Sequence, residues 1–181
     1  MLILASASPR RHELLVAAGI PHVVRPASIP EHAQPGESPR DYVLRLAAEK
    51  AASVLCDAGD VALGADTIVC IENQVLGKPS DKEDACRMLR LLSGREHVVH
   101  TGICLRSRDR HVNDISSTKV SFAELSDAEI DDYVHAGEPE DKAGAYAIQG
   151  LASKYITSIN GCYQNVVGLP VSLVYRHLKN L

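Results

Sequence analysis

Residues 61–79 read VALGADTIVCIENQVLGKP. The first twelve form a β-type run interrupted only by Gly64 and Asp66. Asn73-Gln74 then marks a turn, and VLGKP returns from it. A strand that reverses through a hairpin has an antiparallel neighbour, which favours a mixed sheet over a purely parallel one. Helical patterns with start and stop signals alternate with strands through the rest of the chain. The expected fold class is therefore α/β, a mixed twisted sheet flanked by helices.

Working outward from that hairpin, residues 2–5 (LILA) read as a short buried strand. Ser8 has the character of an N-cap and Pro9 of a first helical residue; the helix runs through RRHELLVAA and stops at Gly19. Residues 26–38 are rich in Pro and turn formers and read as a loop. Ser38, Pro39 and Asp41 start a second helix with a capping-box pattern, and it is expected to end near Asp57 to Gly59. Beyond the hairpin, Ser80 and Glu83 read as the capping box of DKEDACRMLRLL, closed by Ser93-Gly94. VVHTGICL and TKVSFAEL alternate as antiparallel strands do, and Ser126 with Glu129 caps a helix through Val134. Residues 137–150, GEPEDKAGAYAIQG, carry charge and Gly at a density that suggests a functional loop. YITSI and NVVGL read as strands, and Pro170 starts the last helix. No repeat or linker divides the chain, so residues 1–181 are expected to be a single domain.

The totals narrow the function. With 181 residues and 45% apolar content the chain can bury a sizeable core. Nineteen Lys and Arg stand against 23 Asp and Glu, a net charge of −4. That balance argues against broad nucleic-acid binding but leaves room for a small anionic ligand held by local cations. Five cysteines (Cys56, Cys70, Cys86, Cys104, Cys162) are odd in number, widely spaced and without a CxxC pair. They read as buried thiols in a reducing compartment rather than as disulfides or a zinc site. No signal peptide and no membrane-length apolar run is seen, so a soluble, cytoplasmic protein is expected.

Several short stretches could carry chemistry. SASPRR at residues 6–11 places Ser6, Ser8, Arg10 and Arg11 at a helix start, where free N–H groups and the helix dipole favour an anion. The alternative is that Ser8 only caps the helix and the arginines are solvated. Lys50 falls on the apolar stripe of Val43, Leu46, Ala47 and Val54; it must extend its ammonium to solvent or meet a negative partner. Asp66 lies in a setting too apolar for a casual surface carboxylate. It could bind Mg²⁺, take a proton from water, or cap backbone amides in a turn. Lys78 in GKP would sit on a stiff loop, with Gly77 allowing close backbone approach. Lys142 and Gln149 offer a cation and an amide whose paired donor and acceptor can read a nucleobase edge. His97 and His100 would face opposite sides of a strand, and read as structural or exposed rather than as metal ligands. No GxSxG, Walker A or GxGxxG motif occurs.

Taken in order, SASPRRHELL, GADTIV, GKP, LSGREHVVHTG, TKVSF, DKAGAYAIQG and NVVGLP resemble the Maf family from Leu2 to Pro170. The resemblance implies a nucleoside triphosphate pyrophosphatase of inosine-triphosphatase-like fold, with two lobes and a central cleft. It implies cleavage between the α- and β-phosphates with a divalent metal, Mg²⁺ or Mn²⁺. The run AYAIQG is similar to the branch acting on dTTP and UTP. By this resemblance Asp66 is the proton acceptor and a metal ligand. Arg10, Thr67 and Gln149 match positions that set substrate preference. Ser8, Arg11, Lys50 and Lys78 match phosphate-handling positions, and Glu31 matches an acidic residue near the metal. The stretch before Glu31 reads SIPE where many members have two acids. A homodimer is compatible with the resemblance. The competing readings are a Maf-type pyrophosphatase preferring 7-methyl-GTP or another modified nucleotide, and a non-catalytic nucleotide-binding regulator of cell division.

Overall fold

A computed structural model describes residues 1–54, 57–139 and 141–181; Cys56, read above as a buried thiol, lies outside the described residues. The hairpin at 61–79 forms, with its turn one residue earlier than expected. β3 spans Val61–Ile71, Glu72 and Asn73 turn, and β4 spans Gln74–Leu76, with Cys70 opposite Val75 in an antiparallel ladder. β1 (Leu2–Leu4) runs parallel to β3, with Ile3 opposite Ala62. It also runs parallel to β2 (His22–Val24), with Ile3 opposite Val23. β5 (Glu96–Arg106), β6 (His111–Phe122) and β7 (Ile156–Asn160) follow, and β6 pairs antiparallel with β7. The strand order is β2-β1-β3-β5-β6-β7, with β4 paired to β3, so the sheet is mixed.

The helices are α1 (Pro9–Ala17), α2 (Pro39–Ala52), α3 (Lys82–Leu92), α4 (Asp127–His135), α5 (Tyr163–Val167) and α6 (Val171–Leu178). Their starts follow local hydrogen-bonding chemistry. Ser38 accepts the Asp41 N–H, and Ser126 with Glu129 forms a complete capping box. Two expectations shift. The cap of α3 is Asp81, not Ser80: Asp81 accepts the Asp84 N–H at 2.8 Å, while Ser80 donates its own N–H to Asp84. α2 ends at Ala52, earlier than expected. One expectation is corrected: NVVGL is no strand. Residues 163–167 are helical, and the N–H groups of Gly168 and Leu169 return to the Gln164 carbonyl. That closing turn outweighs the β preference of the two valines.

The chain packs as two compact units. The first comprises residues 1–67, 100–116 and 164–181. Its core is built from Leu4, Leu15, Leu63, Ile103, Leu105, Leu169 and Val174, all fully buried. The second comprises residues 68–99 and 117–163. Met88, Leu89, Phe122, Ile130 and Tyr146 are among its buried side chains. Among the described residues all cysteines are free, and burial raises the Cys70 and Cys104 thiols to about 11. No helix of the described residues is long and apolar enough to cross a membrane.

Candidate functional site

The first unit gathers eight of the residues singled out in the sequence: Ser6, Arg11, Glu31, Lys50, Asp66 and Thr67 through direct contacts, and Ser8 and Arg10 at the start of one helix. Asp66 is inside β3, not in a turn, and is 7% exposed. Its Oδ1 lies 2.7 Å from Lys50 Nζ. Lys50 does not extend to solvent: it is 6% exposed, and its ammonium also meets Glu31 Oε1 at 2.7 Å. One buried cation thus holds two carboxylates from distant parts of the chain. Burial raises the Asp66 pKa; Lys50 and Arg11 counter it, and Glu31 adds to it. A carboxyl kept nearer neutrality is the kind that accepts a proton from water during catalysis.

Glu31 belongs to the Pro-rich loop, yet the loop is fastened. Tyr42 on α2 donates its hydroxyl to the Glu31 carbonyl at 3.2 Å. One turn further, Arg45 donates to the His32 carbonyl at 3.0 Å and pairs with Glu37 at 2.6 Å. Tyr42 and Arg45 escaped the sequence reading because their i, i+3 spacing on α2 looks like an ordinary polar face.

Arg11 is buried and almost wholly engaged by the protein. Its Nε donates to the Gly168 carbonyl at 2.8 Å. Nη1 donates to the Ala65 carbonyl at 2.8 Å and to Ser6 Oγ at 3.1 Å, and Nη2 to Thr67 Oγ1 at 3.1 Å. Four of the five guanidinium N–H groups are therefore taken. The side chain stitches the SASPRR segment to β3 and to the turn after α5. Burial lowers its pKa, and Asp66 and Glu31 act against that fall. Thr67 is equally tied: its hydroxyl lies 2.9 Å from Thr101 Oγ1 and 3.3 Å from the Gly168 carbonyl. Thr101 and the Gly168 carbonyl were missed as partners because no spacing in the sequence marks them, while Ser6, expected to face an anion, instead accepts from Arg11.

Ser8 stands at the N-cap of α1 with extended backbone, but its side chain makes no capping bond. The hydroxyl and the first amides of α1 remain available to an anion, with Arg10 half-buried beside them. Lys78 and Gln149 belong to the second unit and are both exposed. A side chain at Gly77 would meet nothing within 4 Å, so close packing does not require that glycine. Its carbonyl instead accepts the Gly144 N–H at 3.0 Å. Among the described residues no three His, Cys, Asp or Glu side chains cluster as a metal site. His97 is buried in the second unit and His100 is half-buried in the first.

The family model described as Maf, Maf-like protein, matches residues 1–181. A dTTP/UTP pyrophosphatase of Koribacter versatilis is 51% identical over 179 residues, 98% of this chain and 93% of the relative. One of Anaeromyxobacter dehalogenans strain 2CP-C is 53% identical over 175 residues, covering 94% and 89%. One of Bacillus anthracis is 48% identical over 179 residues, covering 98% and 94%. Among solved structures, a nucleoside-triphosphatase / dITP/XTP pyrophosphatase from Mycobacterium abscessus aligns with a TM-score of 0.41 and 17% identity, over 68% of this chain and 75% of that one.

Proposed function

This chain belongs to the Maf family, and from that premise we propose that it hydrolyses dTTP and UTP to the nucleoside monophosphate and pyrophosphate. The observation that carries the reading is the half-identity, over nearly the whole chain, with relatives bearing that activity in their names. The chemistry of the first unit supports it. Asp66 takes a proton from a water whose oxygen attacks the α-phosphorus. The bond from that phosphorus to the bridging oxygen breaks, and pyrophosphate leaves with the electron pair. No covalent bond to the enzyme is formed. Lys50, Arg10 and Arg11 set positive charge against the triphosphate, whose charge shifts toward the leaving group as the bond breaks; Lys78, in the second unit, is assigned to phosphate handling by the family resemblance alone. Arg11 contributes mainly through its fixed charge, since its donors are largely engaged. Ser8 and the open start of α1 offer donors to a phosphate oxygen. Thr67, Arg10 and Gln149 belong to substrate preference in this reading.

A divalent ion, Mg²⁺ or Mn²⁺, fits the donor set. Asp66 and Glu31 present hard oxygens toward one point, now taken by the Lys50 ammonium. Two carboxylates completed by phosphate oxygens and water suit such an ion. When bound, it would neutralise phosphate charge and make the α-phosphorus more electrophilic. A cytoplasmic setting accords with the free thiols among the described residues, and a homodimer belongs to the same reading.

The test is product analysis over a panel of nucleoside triphosphates, 7-methyl-GTP included. dTMP and UMP with pyrophosphate are expected; diphosphate with inorganic phosphate would overturn the proposal. Asp66→Asn should lower turnover by about 10²–10⁴ while nucleotide binding persists. Full turnover in that variant would remove Asp66 from its role.

A further inference from the structure

The second unit holds a buried polar pair that the reaction does not use. His97 on β5 is 1% exposed, and its Nε2 lies 2.8 Å from the Tyr146 hydroxyl. The two rings and that of Phe122 stand edge to face, with centroids 4.9–5.4 Å apart. For stability alone, two apolar side chains would serve such a core as well. What the hydrogen bond adds is direction: it fixes where Tyr146 sits along β5.

Tyr146 needs fixing because of the backbone before it. Gly144 and Ala145 are consecutive left-handed residues, at φ 70° and 59°. Ala145 holds that conformation only if its surroundings impose it. Three residues after Tyr146 comes Gln149, in a turn closed by the Gly150 N–H on the Ala147 carbonyl at 3.1 Å. The Ala147 N–H is held by the Tyr133 hydroxyl at 3.2 Å. Gly144 is tied to Gly77, the residue before Lys78. The strained stretch is therefore pinned at its start and its end, and Tyr146 is the anchor between them. Burial lowers His97 to about 4 and raises Tyr146, so both stay neutral at ordinary pH and the bond does not come and go.

We propose that His97 and Tyr146 are positioning residues that aim the turn carrying Gln149, and so set how strictly the enzyme prefers thymine and uracil. The inference rests on the assignment of Gln149 to the base. An amide reads a base edge only when its donor and acceptor are held in register, so a loosened turn loses discrimination before it loses chemistry.

The experiment compares kcat/KM for dTTP and for dCTP in Tyr146→Phe, Gln149→Ala and the double variant carrying both. Tyr146→Phe should narrow the dTTP preference about tenfold, the scale of one lost buried hydrogen bond. In the Gln149→Ala background the same substitution should change nothing further, because the anchor acts through Gln149. A variant with His97→Phe and Tyr146→Phe replaces both polar groups by apolar ones. It should recover the native melting temperature while the preference stays narrowed. If Tyr146→Phe does not fold, this variant carries the test alone. The proposal is overturned if preference survives in Tyr146→Phe while Gln149→Ala loses it. It is also overturned if preference returns together with the melting temperature, or if the Tyr146 effect persists without Gln149. If Gln149→Ala itself keeps the native preference, the assignment of Gln149 to the base has failed, and the anchor's role falls with it.

Discussion

Asp66 sits 2.7 Å from an ammonium, yet burial keeps its carboxyl above the ordinary aspartate range. Removing an oxyanion from water costs more here than one lysine returns. The neighbours pull in opposite directions: Lys50 lowers the Asp66 pKa and Glu31 raises it. In metal-free protein, carboxyl carbon NMR should therefore find Asp66 titrating above 3.8. Lys50→Met should move that titration further up, and Glu31→Gln should move it down. A normal Asp66 titration, or equal shifts in the two variants, would contradict this account. Arg11 teaches the complementary lesson. The sequence offered an arginine at a helix start and suggested a phosphate ligand. The fold surrounds it with the carbonyls of Ala65 and Gly168, which no reading of side-chain types can see. Lys50 was legible, because a charge on an apolar stripe demands a partner.

α2 carries Lys50, and how deeply that helix is seated decides whether Lys50 reaches Asp66. Two strand glycines set the depth. A Cβ on Gly64 would fall 2.0 Å from the Ala47 carbonyl oxygen and 2.6 Å from the Ala51 nitrogen. A Cβ on Gly102 would fall 2.4 Å from the Val43 carbonyl oxygen. The obstacles are helix backbone, which cannot rotate aside, so any side chain there lifts the helix from the strands. Gly64→Ala should cost about 3 kcal/mol in urea denaturation and lower turnover too, since the Lys50–Asp66 contact opens. A native denaturation midpoint would show that the helix yields at no cost. In the sequence, Gly64 reads only as an interruption of a β run; the reason for it is a tertiary approach. The same limit explains the other element-level misses. The α3 cap moved from Ser80 to Asp81 because both are good caps in adjacent positions, and only the backbone decides between them. NVVGL looked like a strand because two valines outweigh their neighbours in any local reading. Its helical turn instead presents the Asn165 and Gly168 carbonyls to Thr101 and Arg11. Ser38, a start signal with a single good candidate, caps α2 as expected.

The two units answer pH differently, because each buries a different kind of titratable group. In the first unit the folded state raises Asp66, so the native form binds that proton more tightly than the unfolded chain. Its contribution to stability falls as pH rises from 3.8 through the folded value, and acidification restores it. In the second unit the folded state lowers His97 from 6.5 to about 4, chiefly by burial, with Glu96 acting weakly the other way. The unfolded chain now binds the proton more tightly. This contribution is complete above pH 6.5 and is lost as pH falls toward 4. Between pH 7 and pH 5 the loss amounts to about 2 kcal/mol. His100 in the first unit moves in the same direction as His97, but it is only half-buried. Mild acid should therefore loosen the second unit first. Amide hydrogen exchange at pH 7 and pH 5, corrected for the intrinsic rate, should show protection falling more across residues 117–139 and 141–163 than across residues 1–54. His97→Phe together with Tyr146→Phe leaves no imidazole to protonate, and should abolish most of that difference. Equal losses in the two units, or an undiminished difference in the double variant, would mean that His97 does not govern the acid response.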